Sequence, residues 1–141
     1  MRISSKPTKK TFRVEIEGYD EPLNLVIRQA TAGDNIKRAD LISEASLVIR
    51  QKSLDQEIKQ RINVPERGRY EAYLTLEDCD LVVEETGKEW FTFVNGRIPS
   101  LAKFNEAWDA LPVDIANAIG KKVLEVNPDW GGNAEDDDPL G

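Results

Sequence analysis

Apolar and polar residues alternate strictly in "TFRVEIE", 11–17: Phe12, Val14 and Ile16 fall on one side, Arg13, Glu15 and Glu17 on the other. A period of two predicts a strand with one buried face. The turn formers "GYDEP" follow, and "LNLVIRQA", 23–30, puts Leu23, Leu25 and Ile27 on one face with Val26 out of phase. Two such runs across a short turn predict a β-hairpin. The period then lengthens. "DNIKRADLISEASLVIRQK" spaces Ile36, Ala39, Ile42, Ala45 and Ile49 at helical intervals, widened by Leu41 and Val48. This predicts an amphipathic helix over 34–51, capped by Thr31 or Asp34 and packed on the hairpin.

The middle of the chain is ambiguous. Leu54, Ile58 and Ile62 recur every four residues in "SLDQEIKQRINVPERGR", 53–69. That spacing suggests a helical stretch ended by Pro65 and Gly68, and the charge density equally suits an excursion between two halves of a domain. Residues 70–77 suit a strand or a helical turn. β-Branched and aromatic residues cluster in "LVV" and "WFTFV" around Thr86-Gly87-Lys88, which predicts a second short β-pair, 80–85 with 89–94, turning at Gly87. Asn95-Gly96 is a further turn signal.

The last third is periodic again. Ser100 stands as a cap before Leu101, Phe104, Ala107, Trp108 and Leu111, which share one face of a helix over 101–110. Leu111-Pro112 breaks it, and Pro112 suits the first turn of a following helix. That helix carries Ile115, Ala116, Ile119, Val123 and Val126 on one face. Lys121 and Lys122 lie late in it, near the negative end of its dipole. Asn127-Pro128 stops it, completing a C-terminal helical hairpin. The fold class expected is α+β: a single domain over 11–130, between a basic arm, 1–10, and an acidic tail, 131–141.

Composition adds exclusions. Apolar residues make up 40% and charged residues 32% of 141, which is globular usage. No apolar run reaches the length of a membrane span, and no apolar stretch follows the basic start, so neither a membrane partner nor a secretory signal is expected. A net charge of −7 argues against nucleic acid held through its phosphates. There is no histidine and one cysteine, Cys79. Ser-His-Asp, Cys-His and His/Cys zinc chemistry are therefore unavailable. Asp78 and Asp80 flank Cys79 as an isolated D-x-D, a weak metal signal that more often marks a solvated strand edge. "GKKV", 120–123, lacks the upstream glycine and the Ser or Thr of a phosphate-binding loop. An enzyme is not expected, nor a metal or cofactor; the chain is expected to act by binding.

One stretch asks for a partner. "EVNPDWGGNAEDDD", 125–138, ends a helix, plants Trp130, swivels on two glycines and turns acidic. Trp130 folding back onto Phe104 and Trp108 would pin the last helix shut. Alternatively Trp130, Trp108 or Trp90 lines an exposed apolar groove, with Asp136, Asp137 and Asp138 beside it. "FNEAWDALPVDIANAIGKKVLEVNPDW", with "YLTLEDCDLVVEE" upstream, resembles the tail assembly chaperones of long-tailed bacteriophages. The pattern is F-x-x-x-W-x-x-L-P, a short helix, then E-V-N-P-x-W, and it covers about residues 70–130. The resemblance implies a non-enzymatic protein of the host cytoplasm, absent from the mature virion. Such a protein binds the coiled-coil-prone tape-measure protein, keeps it soluble and helps recruit tail-tube subunits. From the groove-and-tail reading, partner binding is expected through Phe104, Trp108, Trp130 and the acids at 136–138, and self-association stays open. Two other classes fit the acidic charge: an inhibitor of a host nuclease that mimics DNA, against which stand 19 interspersed Lys and Arg, and a minor structural tail protein.

Overall fold

The computed structural model describes residues 1–52 and 56–131, with the side chains of 44–65 outside that description. The chain is mixed α+β, in the order β1 (Lys9–Val14), β2 (Leu23–Arg28), α1 (Ala32–Lys52), α2 (Gln56–Thr75), β3 (Leu76–Cys79), α3 (Leu101–Asp109) and α4 (Val113–Val126). A single helical turn, 128–131, closes the described chain.

The hairpin forms where alternation placed it. β1 and β2 pair antiparallel with Phe12 opposite Leu25 and Val14 opposite Leu23. Leu23, Leu25 and Ile27 are buried on one face, as the period of two requires. The turn lies around Gly18, whose φ of +93° favours a residue without Cβ. β1 begins at Lys9, inside the stretch expected to be an arm, because Gln29 N–H donates to Thr8 carbonyl at 2.8 Å and carries the pairing outward.

The third strand departs from expectation. β3 pairs antiparallel with β2, with an irregularity at Val26/Ile27, giving the sheet order β1-β2-β3. The segment 80–94 holds only one bridge, Val82 to Glu89, closing on Gly87 at φ +71°. Asn95 and Gly96, both at positive φ, make a two-residue turn between Val94 and Arg97, which exchange hydrogen bonds of 2.8 and 3.1 Å.

α2 corrects a second expectation. It runs through Pro65 and Gly68 to Thr75. An interior proline removes a backbone donor and crowds the preceding turn. Packing along α1 on one side and α3 and α4 on the other overrides that local signal, as tertiary burial commonly does. α1 lies along α2 and not chiefly on the hairpin. Ile36, expected on its buried stripe, is 65% exposed. Ala45, Val48, Ile49, Leu54, Ile58 and Ile62 lie outside the described side chains.

α3 and α4 match their periodicity. Ser100 accepts from Lys103 N–H as the α3 cap. α4 buries Ile115, Ile119 and Val123 against the sheet and α2. The core formed there includes Leu25, Ile27, Leu76, Phe91 and Phe104.

Candidate functional site

Phe104 is the centre of an aromatic cluster. Its ring lies 5.3 Å from Phe91, 5.8 Å from Tyr73 and 5.8 Å from Trp108, the offset spacing such rings favour. Phe104 is buried and Trp108 half-buried. Trp108 therefore has one side against the core and another at the wall of a groove. Trp90 does not line that groove; its indole N–H donates to Ala107 carbonyl at 2.8 Å and ties the 90–94 segment to α3.

Trp130 is buried, but not on the rings expected. Its indole N–H donates to Asn35 Oδ1 at 2.7 Å. The Arg38 guanidinium lies 5.1 Å from its ring centre, within cation–π range. The helical turn at 128–131 is thus fastened to α1. Helix 34–51 and Trp130 are far apart in sequence, and no local spacing signals their contact. Asp136, Asp137 and Asp138 lie outside the described residues.

The groove runs between α2, the end of α3, α4 and the 128–131 turn, and encloses about 1190 Å³. Its floor is a second apolar face of α4: Val113, Ala116, Gly120 and Leu124. These residues follow at intervals of three, four and four, the helical repeat, beside the buried stripe of Ile115, Ile119 and Val123. Gly68 of α2 and Gly120 of α4 both line it, and a Cβ at either would meet nothing within 4 Å. Neither glycine has the positive φ that demands glycine. A glycine inside a helix costs roughly 1 kcal/mol relative to alanine, and among the described residues no close contact requires either.

Charges at the rim are held in place. Glu71 of α2 pairs with Arg38 at 2.7 Å, the two side chains 5% and 14% exposed. Burial pushes the Glu71 carboxyl above the usual glutamate range, against the pull of Arg38. Asp109 takes two hydrogen bonds from Arg69, at 2.9 and 3.0 Å. Paired charges thus stand beside the apolar floor.

The D-x-D pair is structural in its contacts. Asp80 accepts from Asn24 N–H at 2.8 Å and Asn24 Nδ2 at 2.6 Å, joining β2 to the end of β3. Asp78 accepts from Cys79 N–H. Cys79 is buried, which pushes its thiol up to about 12. Among the described residues no cluster of three or more His, Cys, Asp or Glu is placed to hold a metal ion, and no helix is long and apolar enough to cross a membrane.

No protein-family model, no curated protein and no solved structure matches the chain.

Proposed function

We propose that this chain is a phage tail assembly chaperone whose α2–α4 groove receives an amphipathic helix of the tape-measure protein. The observation that carries the reading is the second apolar stripe of α4, floored by Ala116 and Gly120 and faced by Gly68. A tape-measure protein exposes long apolar helical stripes, which aggregate unless covered. A groove with glycine on both walls admits a helix closely, and burying its stripe supplies the affinity. The net charge of −7 keeps loaded complexes apart from one another. Many copies along one long client hold it by avidity without tight single contacts. Tail-tube subunits are recruited to the loaded complex, in the host cytoplasm, and the chaperone leaves before the virion matures.

The test is co-expression with the tape-measure protein, scoring how much of it stays soluble and co-purifies. The native chain is expected to rescue it. Gly120→Leu fills the groove from a position with free space around it, so the variant is expected to keep its circular dichroism and lose the client. A client that stays insoluble beside the native chain sinks the chaperone reading. Full rescue by a folded Gly120→Leu variant removes the groove from it.

A further inference from the structure

The molecule has a second concavity, of opposite character, where the strand leading out of the N-terminus, the start of α1, the end of α2 and the 95–98 turn meet. It encloses about 720 Å³. Arg28 is committed there, donating to both oxygens of Asp34 and to Leu74 carbonyl, with Glu77 3.8 Å away. Lys9 is committed to Glu77 at 2.9 Å. Lys6, Lys37 and Arg97 also line the cavity, are exposed, and have no carboxylate partner among the described residues. Five cations against Asp34 and Glu77 leave an excess of three positive charges in one hollow of a chain whose net charge is −7. Its floor is apolar, with Tyr73 and Ile98 half-buried over Leu74 and Leu76.

We propose that this basic hollow is the docking site of the chain's own C-terminal segment, with Glu135, Asp136, Asp137 and Asp138 set among Lys6, Lys37 and Arg97. Charge complementarity selects the occupant: the segment holds four consecutive carboxylates and no cation. Pro139 and Leu140 follow them and suit the apolar floor. Geometry permits the docking within one molecule. Trp130 is tied to Asn35 and Arg38, while Asp34 and Lys37, in the same two turns of α1, line the hollow. The anchored end of the chain is therefore fastened to the same helix that lines the hollow. An extended chain covers at most about 3.5 Å per residue, so the seven steps from Gly131 to Asp138 reach roughly 25 Å. Docked there, the segment neutralises a surface that would otherwise draw any polyanion, and any stronger acidic ligand of the hollow must first displace it. This inference does not depend on the chaperone reading.

The test uses the full chain with Gly141→Cys carrying a nitroxide spin label. Cys79, buried with its thiol pushed up to about 12, stays unlabelled. The amide signals of Gly33, Lys37, Gly96 and Arg97 are expected to lose most of their intensity through paramagnetic broadening. Lys37→Glu combined with Arg97→Glu should restore the Gly33 and Gly96 signals without altering circular dichroism. So should raising the salt to ~1 M, where charges are screened beyond about 3 Å. Broadening that is absent, that centres on other residues, or that survives the double charge reversal overturns the proposal. So does broadening seen only when labelled and unlabelled molecules are mixed, which would place the segment on a second copy.

Discussion

The two concave faces of this protein are built with different adhesives. The basic hollow is held by ionic and polar contacts: Arg28 of β2 reaches α1 through Asp34, the end of α2 through Leu74 carbonyl, and β3 through Glu77. The groove is held by apolar packing, with α4 wedged between sheet and α2 and showing its spare face outward. The first is a polar cradle that salt and acid can loosen. The second is a trough opened by two glycines, Gly68 and Gly120, on its facing helices. One chain thus carries one charged and one apolar concavity.

The largest effect is expected where the two faces share a wall. Arg38 pairs with buried Glu71 at the groove and covers the Trp130 ring that anchors the C-terminal turn. Arg38→Ala leaves Glu71 buried without its partner, a loss of about 3–5 kcal/mol, and urea unfolding should show it as a lower midpoint. Arg38→Ala with Glu71→Gln should recover part of that loss; if the double variant is no better than the single, the pair is not what the wall depends on.

Asn127 comes next. Its side chain accepts from Ala30 N–H at 2.8 Å and donates to Arg28 carbonyl at 3.3 Å. Asn127→Ala strands both backbone groups, costing about 1–3 kcal/mol. Hydrogen exchange should speed up at Ala30 more than at Ile119; uniform acceleration would mean the contact stabilises the whole fold and not that junction.

Gly120→Ala carries the opposite sign. With nothing within 4 Å of the new Cβ, the variant should gain about 0.4–1 kcal/mol in stability. A destabilised Gly120→Ala would mean the groove is tighter than described.

The smallest change is one of slope with pH. Burial raises the Asp34 carboxyl, but Arg28 and the Thr31 N–H and hydroxyl outweigh it, and the net direction is below the ordinary aspartate range. A depressed acid stabilises the native state above its unfolded pKa, and the contribution fades as pH falls toward the folded value. The stability gap between the native chain and Asp34→Asn should therefore close in that acid window. A gap of constant size would show that Asp34 acts through shape alone.

What the residues disclosed in advance follows the same division. The hairpin, α3 and the buried stripe of α4 were legible because each is a one-element pattern: Leu23, Leu25 and Ile27 at period two, and Ile115, Ile119 and Val123 at the helical period. The groove was half-legible. Val113, Ala116, Gly120 and Leu124 stand at helical spacing beside the core stripe, yet Ala116 reads as a core residue until the position of α2 is known. The hollow was not legible, since Lys6, Arg28, Lys37, Glu77 and Arg97 come from five separate segments. Pro65 misled because a local rule met a stronger packing demand, and Trp130 because its partner Asn35 is 95 residues away. The continuation of α2 directly into β3 had no turn signal to announce it.

The latch formed by Asn127 also sets an order of events at birth. A ribosome adds about 5–20 residues per second, so the N-terminal hairpin and α1 leave the exit tunnel several seconds before Asn127 exists to close the junction at Arg28 and Ala30. The buried face of β2 is completed by α4, the second-last helical segment among the described residues. Until then Leu25 and Ile27 lack the α4 side of their packing.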